Sequence, residues 1–203
     1  MRALQVMRLA LFGGTFDPIH SAHLTVALEA ADKFQLDQVW FVPAAHPPHK
    51  SDLTGASYEE RCKMVELACQ GDARLVVSLL ESGAGKSYSI DTIERVRVSG
   101  EEPYFIIGAD AFAEIATWHR WQDLVRLTEF IVVTRPGHRY DAPPGTRVHR
   151  LDTLALPVSS SEIRRQLAAG DIPPELPPAV ARYIVEKGLY QIPCATTRSV
   201  SHP

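Results

Sequence analysis

Cysteine is scarce, with three in 203 residues. Cys62, Cys69 and Cys194 are odd in number and lack the spacing of a metal knuckle or a redox pair, so neither a disulfide framework nor a zinc module is expected. Cys62 and Cys69 stand seven apart in a helical pattern and read as small buried hydrophobes. No apolar run approaches the ~20 residues that a membrane helix requires. Arg2 and Arg8 bracket only a short mixed segment, so no secretory leader is read there and a cytoplasmic location is expected. Positive charge is not in excess: the formal net charge is −3, which argues against nucleic acid or an anionic membrane as the partner and confines any basic site to a local pocket. Internal repeats and low-complexity blocks are absent. G-x-G-x-x-G is also missing, which weakens a dinucleotide-binding dehydrogenase reading. The lack of HExxH weakens a metallohydrolase built from His20, His23, His46 and His49.

What is present is an alternation of short apolar runs with helical periodicity. Runs at Leu9 onward, Val39–Pro43, Leu75–Leu79, Tyr104–Ile107, Glu129–Thr134 and Val148–Leu151 read as strands. Helices are expected to reach Phe34 from about Leu24, to follow a capping box at Ser57 and Glu60, and to run from Ile90 to Val98 behind a Ser89 cap. Further helices are expected over Ala111–Thr117, Gln122–Leu127, Ile163–Ala169 behind a second capping box at Ser159 and Glu162, and Pro178–Lys187. This order predicts an α/β three-layer sandwich with a mainly parallel, Rossmann-like sheet and a helical C-terminal segment over about 159–190. One domain over 1–190 is expected, with 191–203 a disordered tail.

The informative stretch is Leu9 to Leu24. A strand ends in Gly13 and Gly14, Thr15 and Phe16 follow, Asp17-Pro18 turns the chain, and His20 and His23 open a helix. Such a junction directs backbone N–H groups and the positive end of a helix dipole at one point, which suits phosphate. Other polar signals fall at strand C-termini: Ala44–Lys50, Gly108–Asp110, Arg135 and Ser159–Arg164. In a parallel sheet those ends share one edge, so the segments can converge on one cleft.

Gly-Gly-Thr-Phe-Asp-Pro-Ile-His-Ser-Ala-His resembles the phosphate-binding signature of the nucleotidylyltransferase superfamily, with its HxGH pair. Ser159-Ser160-Ser161-Glu162-Ile163-Arg164 resembles that superfamily's second signature, ISSTxIR. Pro47-Pro48-His49-Lys50, Ser87–Thr92, Ile106–Asp110, Trp118, Arg135-Pro136-Gly137 and Gly188-Leu189-Tyr190 are similar, in order, to the bacterial nicotinate-nucleotide adenylyltransferases. The resemblance implies ATP and nicotinate mononucleotide as substrates, magnesium accompanying ATP, and deamido-NAD and pyrophosphate as products. It implies catalytic roles for His20, His23 and Arg164. It implies ATP contacts from Gly13, Gly14, Thr15, Phe16, His20, His23, Gly108, Asp110, Ser160, Ser161 and Arg164. Contacts to the mononucleotide are implied for His49, Lys50, Ser89, Trp118, His119 and Arg135, and no metal held by the protein's own ligands. Trp121 reads as packing. Nicotinamide mononucleotide or phosphopantetheine is the alternative acceptor, and a nucleotide-binding sensor without turnover the alternative activity. The sensor reading is motivated by Ala22, where the signature has glycine and a methyl would face the triphosphate. The oligomeric state stays open, a homo-oligomer included.

Overall fold

Each central strand alternates its apolar residues between two faces, and both faces are covered by helices. A computed structural model describes residues 7–46, 55–83, 85–135, 139–153 and 158–191. Among the described residues, six parallel strands are ordered β3-β2-β1-β4-β5-β6: β1 (Leu9–Gly14), β2 (Gln38–Pro43), β3 (Leu75–Val77), β4 (Tyr104–Gly108), β5 (Glu129–Thr134) and β6 (Val148–Asp152). β1 lies in the middle, in register with β2 from Leu9↔Gln38 to Gly14↔Pro43 and with β4 from Ala10↔Tyr104 to Phe12↔Ile106. The expected three-layer, Rossmann-like architecture is what the chain adopts.

One face of the sheet presents Ala10, Phe41, Ile106 and Ile131 to helices α1 (Ser21–Phe34), α2 (Tyr58–Cys69), α6 (Ser160–Ala168) and α7 (Pro178–Lys187). The other presents Leu9, Leu11, Phe105, Phe130 and Val132 to α3 (Ser89–Val98), α4 (Ala109–Ala113) and α5 (Trp121–Leu127). The strand period of two thus divides the apolar residues into two cores, as a sheet buried on both sides requires.

Several local expectations hold and others change. Ser57 and Glu60 form the reciprocal capping box of α2. Ser159 accepts the Glu162 N–H at 3.2 Å, but the Glu162 carboxylate turns to Arg165 and Gln166, so the second box forms only its first half. Ser89 is the first residue of α3 rather than its cap; Tyr88 holds the cap position, with no side-chain cap bond. The segment expected as one helix over Ala111–Thr117 divides into α4 and a 3-10 turn, Ile115–Thr117. β3 is shorter than expected, ending at Val77. Cys69 is buried and Cys62 half-buried. Cys194 and the tail 192–203 lie outside the described residues, and no helix among those described is long and apolar enough to cross a membrane.

Chain direction reverses its order between β1 and β4, so the carboxyl ends of these two strands flank a crevice. Phe112 is fully buried beneath that end of the sheet, its ring 5.4 Å from Phe130. Phe112→Ala is expected to lower unfolding free energy by about 3–5 kcal/mol, read as a shift in denaturant midpoint at unchanged slope.

Candidate functional site

The β1–α1 loop is shaped by space and by a buried carboxylate. A Cβ on Gly14 would lie 2.8 Å from the Phe16 ring, so glycine is what lets that ring fold back over the loop. Phe16 takes φ +51° and packs edge-on against Phe41 at 5.4 Å and His23 at 5.1 Å. Asp17 is 3% exposed. Its carboxylate accepts the Gly55 N–H at 2.8 Å, the Ala56 N–H at 3.2 Å and the Tyr190 hydroxyl at 2.7 Å. Its main-chain carbonyl accepts Arg164 Nη1 at 2.6 Å. Ser160 Oγ donates to Pro18 O at 3.0 Å, and Arg61 Nη1 to Thr15 O at 2.7 Å. Burial, and then the Asp17 charge, push the Tyr190 phenol up, so it stays a donor. A Cβ on Gly55 would sit 2.6 Å from Tyr190 Cδ1, so this glycine makes room for that ring.

His20 caps α1 and is buried; His23 is half-buried one turn on. The His20 main-chain N–H donates to His23 Nδ1 at 3.3 Å, and the rings lie 3.8 Å apart at 34°. An Nδ1 that accepts leaves the His23 proton on Nε2, a neutral donor. Burial lowers the His20 pKa from 6.5 to about 4, so this imidazole is neutral at pH 7 as well. Ala22 between them is 8% exposed, so its methyl shows little surface to the cleft.

The far wall is aromatic. Trp118 meets Phe105 edge-on at 6.4 Å, and the His119 ring stacks on Tyr88 at 4.3 Å. With Ser87, Ser89, Ile90 and Leu124 they line a cavity of about 110 Å³. Ser87 ties this wall to the loop after β2: its hydroxyl accepts the His46 N–H at 3.1 Å, and its N–H donates to His46 O at 3.1 Å. Ser87, Ser89 and Trp118 also border a cleft of about 330 Å³ that runs along Gly13, Gly14, Thr15 and Gly108. Beyond Gly108 a third depression of about 400 Å³ holds Asp110, Arg135 and Thr153. These three hollows form one trough across the carboxyl ends of β1, β4 and β5.

The predicted residues therefore fall into three groups. Gly13 to Phe16, His20, His23, Ser160, Ser161 and Arg164 gather around the β1–α1 loop. Ser89, Trp118 and His119 share the aromatic cavity. Arg135 does not join them: β5 lies on the side of β4 remote from β1, which seats Arg135 with Gly108 and Asp110. His49 and Lys50 lie outside the described residues. Asp17, Arg61 and Tyr190 anchor the β1–α1 loop, and the sequence reading assigned them no such part. Arg61 carried a readable signal, since residues 61, 64, 65, 68 and 69 are the buried stripe of α2, with an arginine at its head.

A larger hollow, about 540 Å³, is at the opposite end of the sheet, around Arg8, Arg97, Glu102, Glu129 and Arg147. Its arginines Arg97 and Arg147 are paired with Glu102 and Glu129 at 3.3 and 3.4 Å. A ligand would have to displace those partners, whereas the trough offers donors.

Residues 11–166 match the family model described as cytidylyltransferase-like. A relative from Solibacter usitatus named probable nicotinate-nucleotide adenylyltransferase is 59% identical over 91% of this chain and 100% of its own length. One of the same name from Pelobacter propionicus is 41% identical over 91% and 98%. Among solved structures, Plasmodium falciparum nicotinic acid mononucleotide adenylyltransferase complexed with NaAD superposes with a TM-score of 0.76 at 22% identity, covering 91% of this chain and 97% of that one.

The His20 environment sets a pH dependence. Between pH 6.5 and about 4 the unfolded chain binds a proton at this residue that the folded chain does not. Its contribution to stability is therefore full above 6.5 and is lost as pH falls toward 4. In His20→Asn, the melting temperature is expected to fall less steeply than in the wild type across that window; parallel curves would contradict the assignment.

Proposed function

The chain belongs to the cytidylyltransferase-like family, in its nicotinate-nucleotide adenylyltransferase branch, and from that premise we propose how its trough transfers an adenylyl group from ATP to nicotinate mononucleotide, a step of NAD biosynthesis. The observation that carries the reading is that a donor-rich phosphate loop and a small aromatic cavity adjoin along Ser87, Ser89 and Trp118, which line both hollows. The acceptor's phosphate, largely dianionic near pH 7 because its second pKa is about 6, attacks the α-phosphorus in line. A new P–O bond forms, the bond to the bridging oxygen breaks, and pyrophosphate leaves with the electron pair. No protein nucleophile is needed. Catalysis rests on holding two anions in line and on donors placed where charge develops.

His20 and His23 supply neutral N–H donors to the α-phosphate and the leaving group, beside the amides of Gly14, Thr15 and Phe16. Arg164, braced on Asp17 O and with Nη2 3.3 Å from Ser161 Oγ, is the cation for the β- and γ-phosphates. Gly108 and Asp110 receive the adenosine side, where ribose hydroxyls find a carboxylate, with Arg135 alongside. Trp118 stacks on the pyridine ring. The Ser89 hydroxyl and the α3 N-terminus, which lacks a side-chain cap, meet the carboxylate with the His119 amide. Among the described residues no three His, Cys, Asp or Glu side chains come together as metal ligands, and the loop offers N–H donors. This fits magnesium that arrives on the triphosphate, retaining waters and phosphate oxygens, where it would neutralise charge on the β- and γ-phosphates.

Pyrophosphate release with nicotinate mononucleotide, nicotinamide mononucleotide and phosphopantetheine tests the assignment; failure with all three despite ATP binding would leave a nucleotide sensor. His20→Ala and His23→Ala are each expected to lower kcat by about 10²–10³ with a smaller change in ATP affinity, because the charge they meet develops in the transition state. Unchanged kcat with weakened ATP binding would contradict that role. Trp118→Ala is expected to raise KM for the mononucleotide roughly tenfold with KM for ATP unaltered, read by varying each substrate in turn.

A further inference from the structure

Arg61 is among the most deeply buried side chains of the protein, at 1% exposed. Among the described residues no carboxylate lies within ion-pair distance of it. The nearby Asp17 carboxylate faces Arg164 at 3.7 Å instead. The guanidinium rests 5.7 Å from the Tyr58 ring centre, its Nε has no hydrogen-bond partner among the described residues, and its Nη1 donates to Thr15 O at 2.7 Å. A buried cation in this state is costly unless something else answers its charge. The position it occupies is directly behind the phosphate loop.

The Thr15 carbonyl explains what the contact does. A trans peptide is planar, so its C=O and the following N–H point in opposite directions. With Thr15 O drawn inward to Arg61, the Phe16 N–H is turned to the other side, and it finds no acceptor among the described residues. Among the described residues, the two guanidinium groups and one carboxylate that hold this loop leave one positive charge in surplus.

We propose that Arg61 is a positioning residue for the triphosphate: it locks the Thr15–Phe16 peptide so that the Phe16 N–H faces the cleft, and its unpaired charge is answered when phosphate binds. The inference rests on the ATP-dependent reading of the trough and names a part of it that acts through the backbone.

The test uses calorimetric binding of ATP, inorganic tripolyphosphate and adenosine to wild type, Arg61→Gln and Arg61→Lys, with steady-state kinetics beside it. Arg61→Gln is expected to weaken ATP and tripolyphosphate by about 10- to 100-fold. Arg61→Lys, which keeps the charge, is expected to lose less. Adenosine affinity and KM for the mononucleotide should stay within about twofold. Wild-type affinity for tripolyphosphate in Arg61→Gln, or an equal loss for adenosine, would overturn the proposal. Should neither variant fold, the wild type answers: the Arg61 Nε–H and Phe16 amide resonances should shift with tripolyphosphate and not with adenosine, and no shift would overturn it. If wild type binds tripolyphosphate but releases no pyrophosphate from ATP and nicotinate mononucleotide, it is the adenylyl-transfer reading that fails.

Discussion

The hydrogen-bonded carboxylate of Asp17 is the constraint on which the rest of the site depends. A carboxylate at 3% exposure is tolerated only with donors on both oxygens. Here the donors come from distant parts of the chain: Gly55 and Ala56 ahead of α2, and Tyr190 beyond α7. Arg164 of α6 adds a bond to the same residue's carbonyl. A loop of six residues is thereby tied to three helices, and the last described turn of the chain becomes a support for its first loop. Removing any donor leaves a buried charge short of partners, a loss of about 1–3 kcal/mol or more, and also releases the backbone that presents N–H groups to phosphate. Stability and phosphate geometry are therefore coupled through one side chain.

The two halves of the trough are built on different principles. The loop half is over-determined: Arg61, Ser160 and Arg164 hold its carbonyls at Thr15, Pro18 and Asp17, and the Asp17 carboxylate ties it to Gly55, Ala56 and Tyr190. The aromatic half has lighter ties, a reciprocal Ser87–His46 bond and a Tyr88–His119 stack at 4.3 Å. The difference suits the two ligands of the proposed reaction. A triphosphate is held by directed donors that lose value steeply with misplacement. A pyridine ring is held by surface contact, which tolerates adjustment.

Much of the fold was legible in the chain because its strands are apolar on both faces and its helices have distinct starts. Ser57 with Glu60 predicts α2 and forms the box as read. Boundaries failed where tertiary contacts outbid local preference. Glu162 prefers Arg165 to its own cap, and Tyr88 takes the cap position at α3 because its ring stacks on His119. Of the candidate site, His20, His23, Trp118 and Ser89 stood out in the sequence because their neighbours form ordered signatures, and the structure seats the first two at the β1–α1 loop and the last two in the aromatic cavity. Asp17 read only as a turn, since nothing local shows that Tyr190, 173 positions away, will donate to it. Arg61 was hidden by the opposite error: an arginine on a helix is expected to face solvent, and only the stripe it heads says otherwise. That Arg135 lies with Gly108 and Asp110 rather than at the aromatic cavity was not legible, because sequence order does not show on which side of β1 a strand will lie.

The histidine pair shows why a site for highly charged ligands uses neutral groups. Two imidazolium ions with rings 3.8 Å apart would repel strongly in a buried setting. Burial keeps His20 neutral, and the His20 main-chain N–H fixes the His23 proton on Nε2. Both rings can then donate without the cost of a second buried cation, leaving the positive charge to Arg61 and Arg164, on guanidinium groups that do not lose their protons. On the adenylyl-transfer reading proposed above, fixed charge behind the loop attracts ATP, while neutral donors in front of it meet the charge that develops during transfer.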